Sequence, residues 1–445
     1  MANKVLTARL SLRLGESAAR VLTRDSTGPR KRAIIGQDSR ISGQFISAAV
    51  AAGLSSAGVD VIDLGVIPTP GIAFLTSKLG VDLGVVISAS HNPYYDNGIK
   101  FFSRAGFKLD DTIEDEIESR LEEPWDRPTG TSVGRISSDS GKAVSSYIEH
   151  LVQAIGANDN VKPLAGLKIV LDAANGAASN VAPEALRQAG ASVTVINASP
   201  DGENINKSCG STHPEQLRAM MKVSDAELGV AFDGDADRCI AVDENGELID
   251  GDKIISIIAL DLKERGELVK DSVVLTVMSN LGTLNALENA GIGVERTGVG
   301  DRYVLENMLR NGLRLGGEQS GHIIDLKYST TGDGTLSALM LADVYMRKKA
   351  QDPSVSMSKL ASVVQTLPQV LINVPDVDKT RLDADLVIQD AVTRVEAELG
   401  TSGRVLLRSS GTEPLIRVMV EAATDEIAKT KAQELADLIK VRLPL

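Results

Sequence analysis

Four short stretches of this chain carry side chains able to do chemistry. The first is Ser88-Ala89-Ser90-His91-Asn92-Pro93, directly after the apolar run Leu83-Gly84-Val85-Val86-Ile87. A strand that stops at small residues and turns at His-Asn-Pro presents a hydroxyl at the C-terminal edge of a sheet, where α/β folds form ligand sites. Ser90 is that hydroxyl, with His91 and Lys100 as nearby donors. A plain capped turn reads the same way, because spatial pairing rather than adjacency activates a serine. The second stretch is Phe232-Asp233-Gly234-Asp235-Ala236-Asp237-Arg238, after Leu228-Gly229-Val230-Ala231. Three carboxylates at alternate positions repel unless a cation gathers them, and Mg²⁺, a hard ion that takes oxygen ligands, suits Asp233, Asp235 and Asp237. The Gly and distal Glu of a helix-loop-helix calcium site are absent at the required offsets, which leaves an ordinary acidic turn as the alternative.

The third stretch, Gly316-Gly317-Glu318-Gln319-Ser320-Gly321-His322, is followed by Thr330-Thr331-Gly332-Asp333-Gly334. Its glycines allow close backbone approach, and Glu318 with Ser320 offers acceptors and a donor for sugar hydroxyls or an amine; a plain hairpin is the alternative. The fourth is Arg408-Ser409-Ser410-Gly411-Thr412-Glu413-Pro414-Leu415-Ile416-Arg417. Arg408 and Arg417 flank a small polar turn, so guanidinium forks, hydroxyls and backbone N–H groups surround one point as a phosphate cradle, or else form a surface salt-bridge turn. It lacks the Lys and the following helix of a P-loop.

Hydroxyl, metal loop, polar sugar loop and phosphate clamp together describe phosphoryl transfer on a phosphorylated sugar. In this order and spacing the four segments resemble those of the α-D-phosphohexomutases over essentially the whole chain. The wording of Ser88–Phe102 and of the Gly-Glu-Gln-Ser-Gly-His segment most resembles the amino-sugar branch of that family. The resemblance implies that Ser90 carries a phosphoryl group and joins Asp233, Asp235 and Asp237 in binding one Mg²⁺. It places His91, Lys100, Arg238 and His322 at further active-site positions. Gly300, Asp301 and Arg302 match a substrate loop, Glu318 and Ser320 the holders of sugar hydroxyls, and Arg408, Ser410, Gly411, Thr412 and Arg417 the grip on the phosphate that is not reacting. The implied reaction interconverts glucosamine 6-phosphate and glucosamine 1-phosphate through a 1,6-bisphosphate, supplying UDP-N-acetylglucosamine. The alternatives are a phosphomannomutase/phosphoglucomutase and an inactive phosphosugar-binding protein. Family members open with a strand and a Phe-Gly-Thr-Asp-Gly-Ile-Arg-Gly-like segment before the stretch resembling Ala2-Asn3-Lys4, and here Met1 stands in its place. A chain starting there is expected to have a weakened first domain and much-reduced turnover.

The elements that must position these loops are visible as repeats. A β-branched run, a small-residue turn, a helix, Ala-Gly and a second strand recur at 33–61, 168–193 and 273–294, with Gly ending each helix. After Pro368 the order becomes strand, helix, strand, strand, helix, an α+β tail. The expected architecture is therefore three similar α/β units with mixed sheets plus a C-terminal α+β domain, arranged around a central cleft. The boundaries are 1–138, 139–246, 247–358 and 359–445. The start of the chain reads as an amphipathic surface helix whose buried stripe is Leu6, Leu10, Leu14, Val21 and Leu22.

Composition narrows the function classes. With 43% hydrophobic residues in 445, global disorder is excluded, and 6 Phe, 6 Tyr and 1 Trp leave the cores to aliphatic residues and argue against an aromatic stacking surface. A net charge of −13 argues against bulk nucleic-acid binding, which needs a field of Lys and Arg. No run reaches the length of a membrane span. Only Cys209 and Cys239 are present, so a disulfide framework is absent and a reducing, cytoplasmic setting follows. The partner is a small phosphosugar, and the resemblance suggests a homodimer.

Overall fold

Each β-branched run marked by the repeat becomes the inner strand of a sheet, because a parallel strand covered on both faces must be apolar along its whole length. The computed structural model describes residues 1–28, 30–410 and 415–445. They divide into two compact units, residues 1–277 with 292–363 and residues 278–291 with 364–445.

The first unit holds three sheets. One contains β1 (Lys31–Gln37), β2 (Val59–Val66), β3 (Leu83–Ile87), β4 (Ile99–Ser103) and β5 (Ile136–Ser138) in the order β4-β3-β1-β2-β5. The second contains β6 (Lys168–Asp172), β7 (Ser192–Ile196), β8 (Leu228–Phe232), β9 (Cys239–Val242) and β10 (Leu248–Ile249) in the order β10-β9-β8-β6-β7. The third contains β11 (Ser272–Thr276), β12 (Gly293–Thr297), β13 (Leu315–Gly317) and β14 (Ile323–Asp325) in the order β12-β11-β13-β14.

Without the short edge strands β5 and β10, all three share one topology. The first strand pairs in parallel with the second on one side and the third on the other, and the fourth runs antiparallel to the third. The repeat therefore extends beyond the strand-helix-strand core that the sequence displays. The link between third and fourth strands is residues 88–98 in the first sheet, 233–238 in the second and 318–322 in the third. Three of the four chemically equipped stretches thus occupy the same topological position.

The N-terminal helix, Ala8–Leu22, is capped by Thr7, whose Oγ1 accepts from Leu10 N at 3.2 Å. Its buried face corrects the expected leucine stripe. Leu6 precedes the helix, Leu10, Leu14 and Leu22 are only half-buried, and Ser11, Gly15, Ala18, Ala19 and Val21 are covered. The reason is backbone-to-backbone packing on the helix Gly43–Ser56: a Cβ on Gly15 would meet Val50 O at 2.5 Å, and one on Gly53 would meet Leu12 O at 2.1 Å. Large side chains do not fit so close a crossing.

The second unit carries the antiparallel sheet β15 (Gln369–Pro375), β16 (Arg404–Ser409) and β17 (Leu415–Glu421) in the order β15-β17-β16. Its core joins Val374, Ile416, Val418 and Val420 to Ile388 and Val395 of the helix Leu386–Leu399 and to Leu435 and Ile439 of the helix Asp425–Arg442. This is the expected α+β arrangement. The helix Leu281–Asn289 belongs to this unit too, its first N–H donating to Glu421 Oε2 at 2.9 Å. Glu421 is fully buried and paired with Arg404 at 2.7 Å.

Candidate active site

Ser90 sits just past the end of β3 with φ of +50°, a left-handed conformation that a non-glycine residue adopts only when its surroundings hold it there. Those surroundings are explicit. Ser90 N donates to Ser88 Oγ at 2.9 Å, and Ser88 Oγ donates to Asp38 Oδ2 at 2.7 Å. Ser90 Oγ is thereby turned onto the aspartate loop, where it donates to Asp233 Oδ2 at 2.5 Å. The approach demands a glycine, since a Cβ on Gly234 would lie 2.6 Å from Ser90 O.

The aspartate loop joins β8 to β9, and its three carboxylates are buried with ligand oxygens within 4.8 Å of one another. Lys100, on β4, donates to Asp235 Oδ2 at 2.7 Å and lies 3.7 Å from Asp237. Thr69 Oγ1 donates to the same Asp235 oxygen at 2.5 Å. Arg238 N donates to Asp233 Oδ1 at 3.2 Å, and its guanidinium is 3.9 Å from Asp237.

Burial, with the charges of Asp237 and Asp235, pushes the Asp233 carboxyl well above the usual range. Burial acts the same way on Asp237, but Lys100 and His322 outweigh it and hold that carboxyl well below. Desolvation of Lys100 is likewise outweighed by Asp235 and Asp237, which raise its ammonium. Three carboxylates thus face two cations, Lys100 and Arg238. Asp235 Oδ1 is buried with no hydrogen bond among the described residues, and Asp237 Oδ1 has no hydrogen bond there either, only the longer contacts to His322 (3.7 Å) and Arg238. An all-oxygen donor set with orphaned buried lone pairs fits a hard divalent cation.

His322, at the start of the third sheet's hairpin return, is 2% exposed. Its Nε2 accepts from Gly332 N at 3.0 Å, which leaves the ring proton for Nδ1, facing Asp237. Asp301 lies 3.7 Å from His322 and pairs with Lys108. Burial would raise the Asp301 carboxyl, but the Lys108 ammonium more than offsets it and holds it below the usual range. Gly300 N donates to Glu318 Oε1 at 3.1 Å, so the substrate loop and the sugar loop expected from sequence touch. Arg302 is turned instead to Asp111 and Glu306, and Ser320 is exposed. His91 is on the open face of its turn, and partial burial with the Arg238 charge holds its imidazole below the ordinary value.

In the second unit Arg408 and Arg417 stand directly opposite each other on β16 and β17. Partial burial and the Arg417 charge lower the Arg408 guanidinium. Like charges across a strand pair are unfavourable without an anion between them. Ser410 N closes the hairpin on Leu415 O at 2.9 Å, and Lys379 Nζ donates to Ser410 O at 2.5 Å. The expected Gly411 and Thr412 lie outside the described residues.

Sequence reasoning missed Asp38, Arg40, Thr69, Lys108, Asn206 and Lys379. Asp38-Ser39-Arg40 had a signal: an acid and a base immediately after the buried strand β1. Asn206 had none, because it sits in an irregular loop and reaches Ser90 O (2.9 Å) only through tertiary packing.

Comparison with known proteins finds matches along the whole chain. Residues 1–126, 145–246 and 250–366 match the α/β/α domains I, II and III of phosphoglucomutase/phosphomannomutase, and residues 371–438 match its C-terminal domain. A phosphoglucosamine mutase of Bifidobacterium animalis subsp. lactis is 57% identical and one of Streptomyces coelicolor 54%, each over 100% of this chain and 97% of the relative. A phosphoglucomutase/phosphomannomutase family protein from Burkholderia thailandensis shares the fold with a TM-score of 0.79, at 24% identity over 99% of this chain and 96% of that one. Aspergillus fumigatus N-acetylphosphoglucosamine mutase, solved with GlcNAc-6P and magnesium, gives a TM-score of 0.66 at 19% identity over 94% of this chain and 79% of its own. Among the described residues no helix is long and apolar enough to cross a membrane.

Proposed function

Because this chain belongs to the phosphoglucomutase/phosphomannomutase family, a family of mutases, we propose that it interconverts glucosamine 6-phosphate and glucosamine 1-phosphate through a phosphoserine at Ser90. The observation that carries the reading is the 2.5 Å contact of Ser90 Oγ with Asp233, inside the buried Asp233, Asp235, Asp237 cluster. The relatives at 54–57% identity support the amino sugar as substrate.

In the proposed cycle the Ser90 Oγ–P bond breaks as a P–O bond forms to O1 of glucosamine 6-phosphate, and the O1 proton passes to the neutral His91 imidazole. The resulting 1,6-bisphosphate turns end for end. The O6–P bond then breaks as the 6-phosphoryl group returns to Ser90 Oγ, and the proton held on His91 passes to O6, releasing glucosamine 1-phosphate. Asp233, Asp235, Asp237 and the phosphoryl oxygens would hold one Mg²⁺, which when bound neutralises the transferring group. Lys100 and Arg238 add fixed positive charge beside it, and His322 keeps Asp237 in place. Glu318 and Ser320 take sugar hydroxyls or the amine, with Gly300, Asp301 and Arg302 as the neighbouring substrate loop. Arg408, Ser410, Gly411, Thr412 and Arg417 supply the grip for the unreactive phosphate. Functionally the chain reads as four domains, 1–138, 139–246, 247–358 and 359–445. The two free, buried cysteines suit a reducing cytoplasm.

A coupled assay with glucosamine 6-phosphate and Mg²⁺, run beside glucose and mannose 6-phosphates, tests the reading. Turnover highest on the amino sugar is expected. Preference for a neutral hexose transfers the chain to a phosphomannomutase/phosphoglucomutase role, and no turnover with any of them, together with no phosphate on Ser90, overturns the mechanism.

A further inference from the structure

We propose that Arg40 and Asn206 are positioning residues for phosphoryl transfer, holding the carbonyl oxygens of the Ser90 turn away from Oγ so that Oγ and its phosphoryl group face only the aspartate loop. This rests on Ser90 being the phosphoryl carrier.

Arg40 is 1% exposed, an unusual place for a guanidinium. Nε donates to Asp38 Oδ2 at 2.8 Å, Nη1 to Pro93 O at 2.5 Å and Asp96 O at 3.3 Å, and Nη2 to Ser90 O at 2.8 Å and Asn92 O at 2.9 Å. One side chain therefore collects four carbonyls of a single turn. Asn206 approaches from the second sheet's loops, its Nδ2 donating to the same Ser90 O at 2.9 Å and Asn92 O at 3.1 Å. Ser90 O thus receives two donors. Asp38 closes the circuit, accepting from Arg40 on one side and from Ser88 on the other, while Ser88 Oγ accepts the Ser90 amide.

The physical need is clear. A phosphoserine carries roughly −1.5 to −2 charge, and the negative ends of peptide dipoles swung toward it would oppose its formation. In a left-handed turn only strong, divergent donors behind the loop keep the carbonyls reversed. A planar fork of five N–H groups does this, and an ammonium on a flexible stem does not. The grip also spans two sheets, so the register of the Ser90 turn against Asp233 depends on residues that touch neither sugar nor phosphate.

The test uses the full chain. Arg40→Lys and the isosteric Asn206→Asp are incubated with glucosamine 1,6-bisphosphate and Mg²⁺, and Ser90 phosphate is followed by intact mass beside kcat, KM and thermal melting. The expected result is slower and less complete phosphorylation, with kcat down by about 10²-fold for Arg40→Lys while KM for glucosamine 6-phosphate stays within about threefold. Millimolar guanidinium should restore part of the turnover of Arg40→Ala and none to wild type. Should Arg40→Lys fail to fold, Asn206→Asp decides alone. Wild-type kcat and phosphorylation in the folded variants, or a loss that merely follows the folded fraction, overturns the positioning role. A wild-type chain that takes no phosphate at Ser90 overturns the functional reading itself.

Discussion

The serine and aspartate loops and the paired arginines of β16 and β17 handle charge in opposite ways. Around Ser90 the carboxylates are buried and face cations or donors inside the fold: Asp235 meets Lys100 and Thr69, Asp233 meets Ser90 and Arg238 N, and Ser90 N meets Ser88, while Asp235 Oδ1 and Asp237 Oδ1 keep lone pairs without a hydrogen bond among the described residues. Arg408 and Arg417 are instead like charges set opposite each other, and Arg408 has no carboxylate partner among the described residues. On the proposed reading the difference separates two tasks. A reacting group needs fixed geometry, which calls for internal compensation, whereas a grip that must take phosphate from either end of a sugar needs charge left for the ligand.

That contrast can be broken at its centre. Ser90→Ala should reduce turnover by about 10³-fold or more and abolish phosphate uptake seen by intact mass; retained turnover would remove the serine from the reaction. Chelation by EDTA should stop turnover and Mg²⁺ should restore it. In thermal melts the ion at a hundred times its Kd should add about 2–3 kcal/mol to wild type and clearly less to Asp237→Asn; equal stabilisation of both would move the metal elsewhere. On the other side, Arg408→Ala or Arg417→Ala should raise KM by about 10- to 100-fold, the equivalent of one or two charge-assisted hydrogen bonds, with a smaller change in kcat. A loss confined to kcat would contradict the assignment as a grip.

The smallest expected effect sharpens the buried side. Asp333 is 2% exposed, accepts from Tyr147 Oη at 2.7 Å and from Leu336 N at 2.9 Å, and burial pushes its carboxyl up to about 6. Between the ordinary value near 4 and about 6, the folded state keeps a proton that the unfolded chain has released. Asp333 therefore makes stability fall as pH rises through that window and leaves it lower above. Asp333→Asn retains the helix cap and removes the titration. Between pH 4.5 and 7 its stability in denaturant melts should gain about 1–3 kcal/mol on wild type, and parallel curves would refute the assignment.

Much of the site was legible because its chemistry is local. Asp233, Asp235 and Asp237 are spaced two apart in one loop, so the cluster could be read before any packing was known. Gly-Glu-Gln-Ser-Gly-His was legible for the same reason. The N-terminal helix misled because a leucine stripe is the ordinary sign of a buried face, and here Gly15 and Gly53 let two backbones approach so closely that small residues do the burying. Arg302 has the right type in the right loop, yet its side chain meets Asp111 and Glu306, a choice that rotamers make and spacing does not.

What the order of residues determined on its own was the set of strands, through their unbroken apolar runs, and the content of each reactive loop, through residue types a few positions apart. Tertiary structure alone decided that three of these loops fill the same hairpin of three repeated sheets, that Ser90 takes a left-handed turn, and that Arg40 and Asn206 hold it from behind. Those facts join residues as far apart as Ser90 and Asn206, or Ser90 and Asp233. Contacts at such separation form only when whole sheets pack, and no local periodicity encodes which loop a folded backbone will bring to face which.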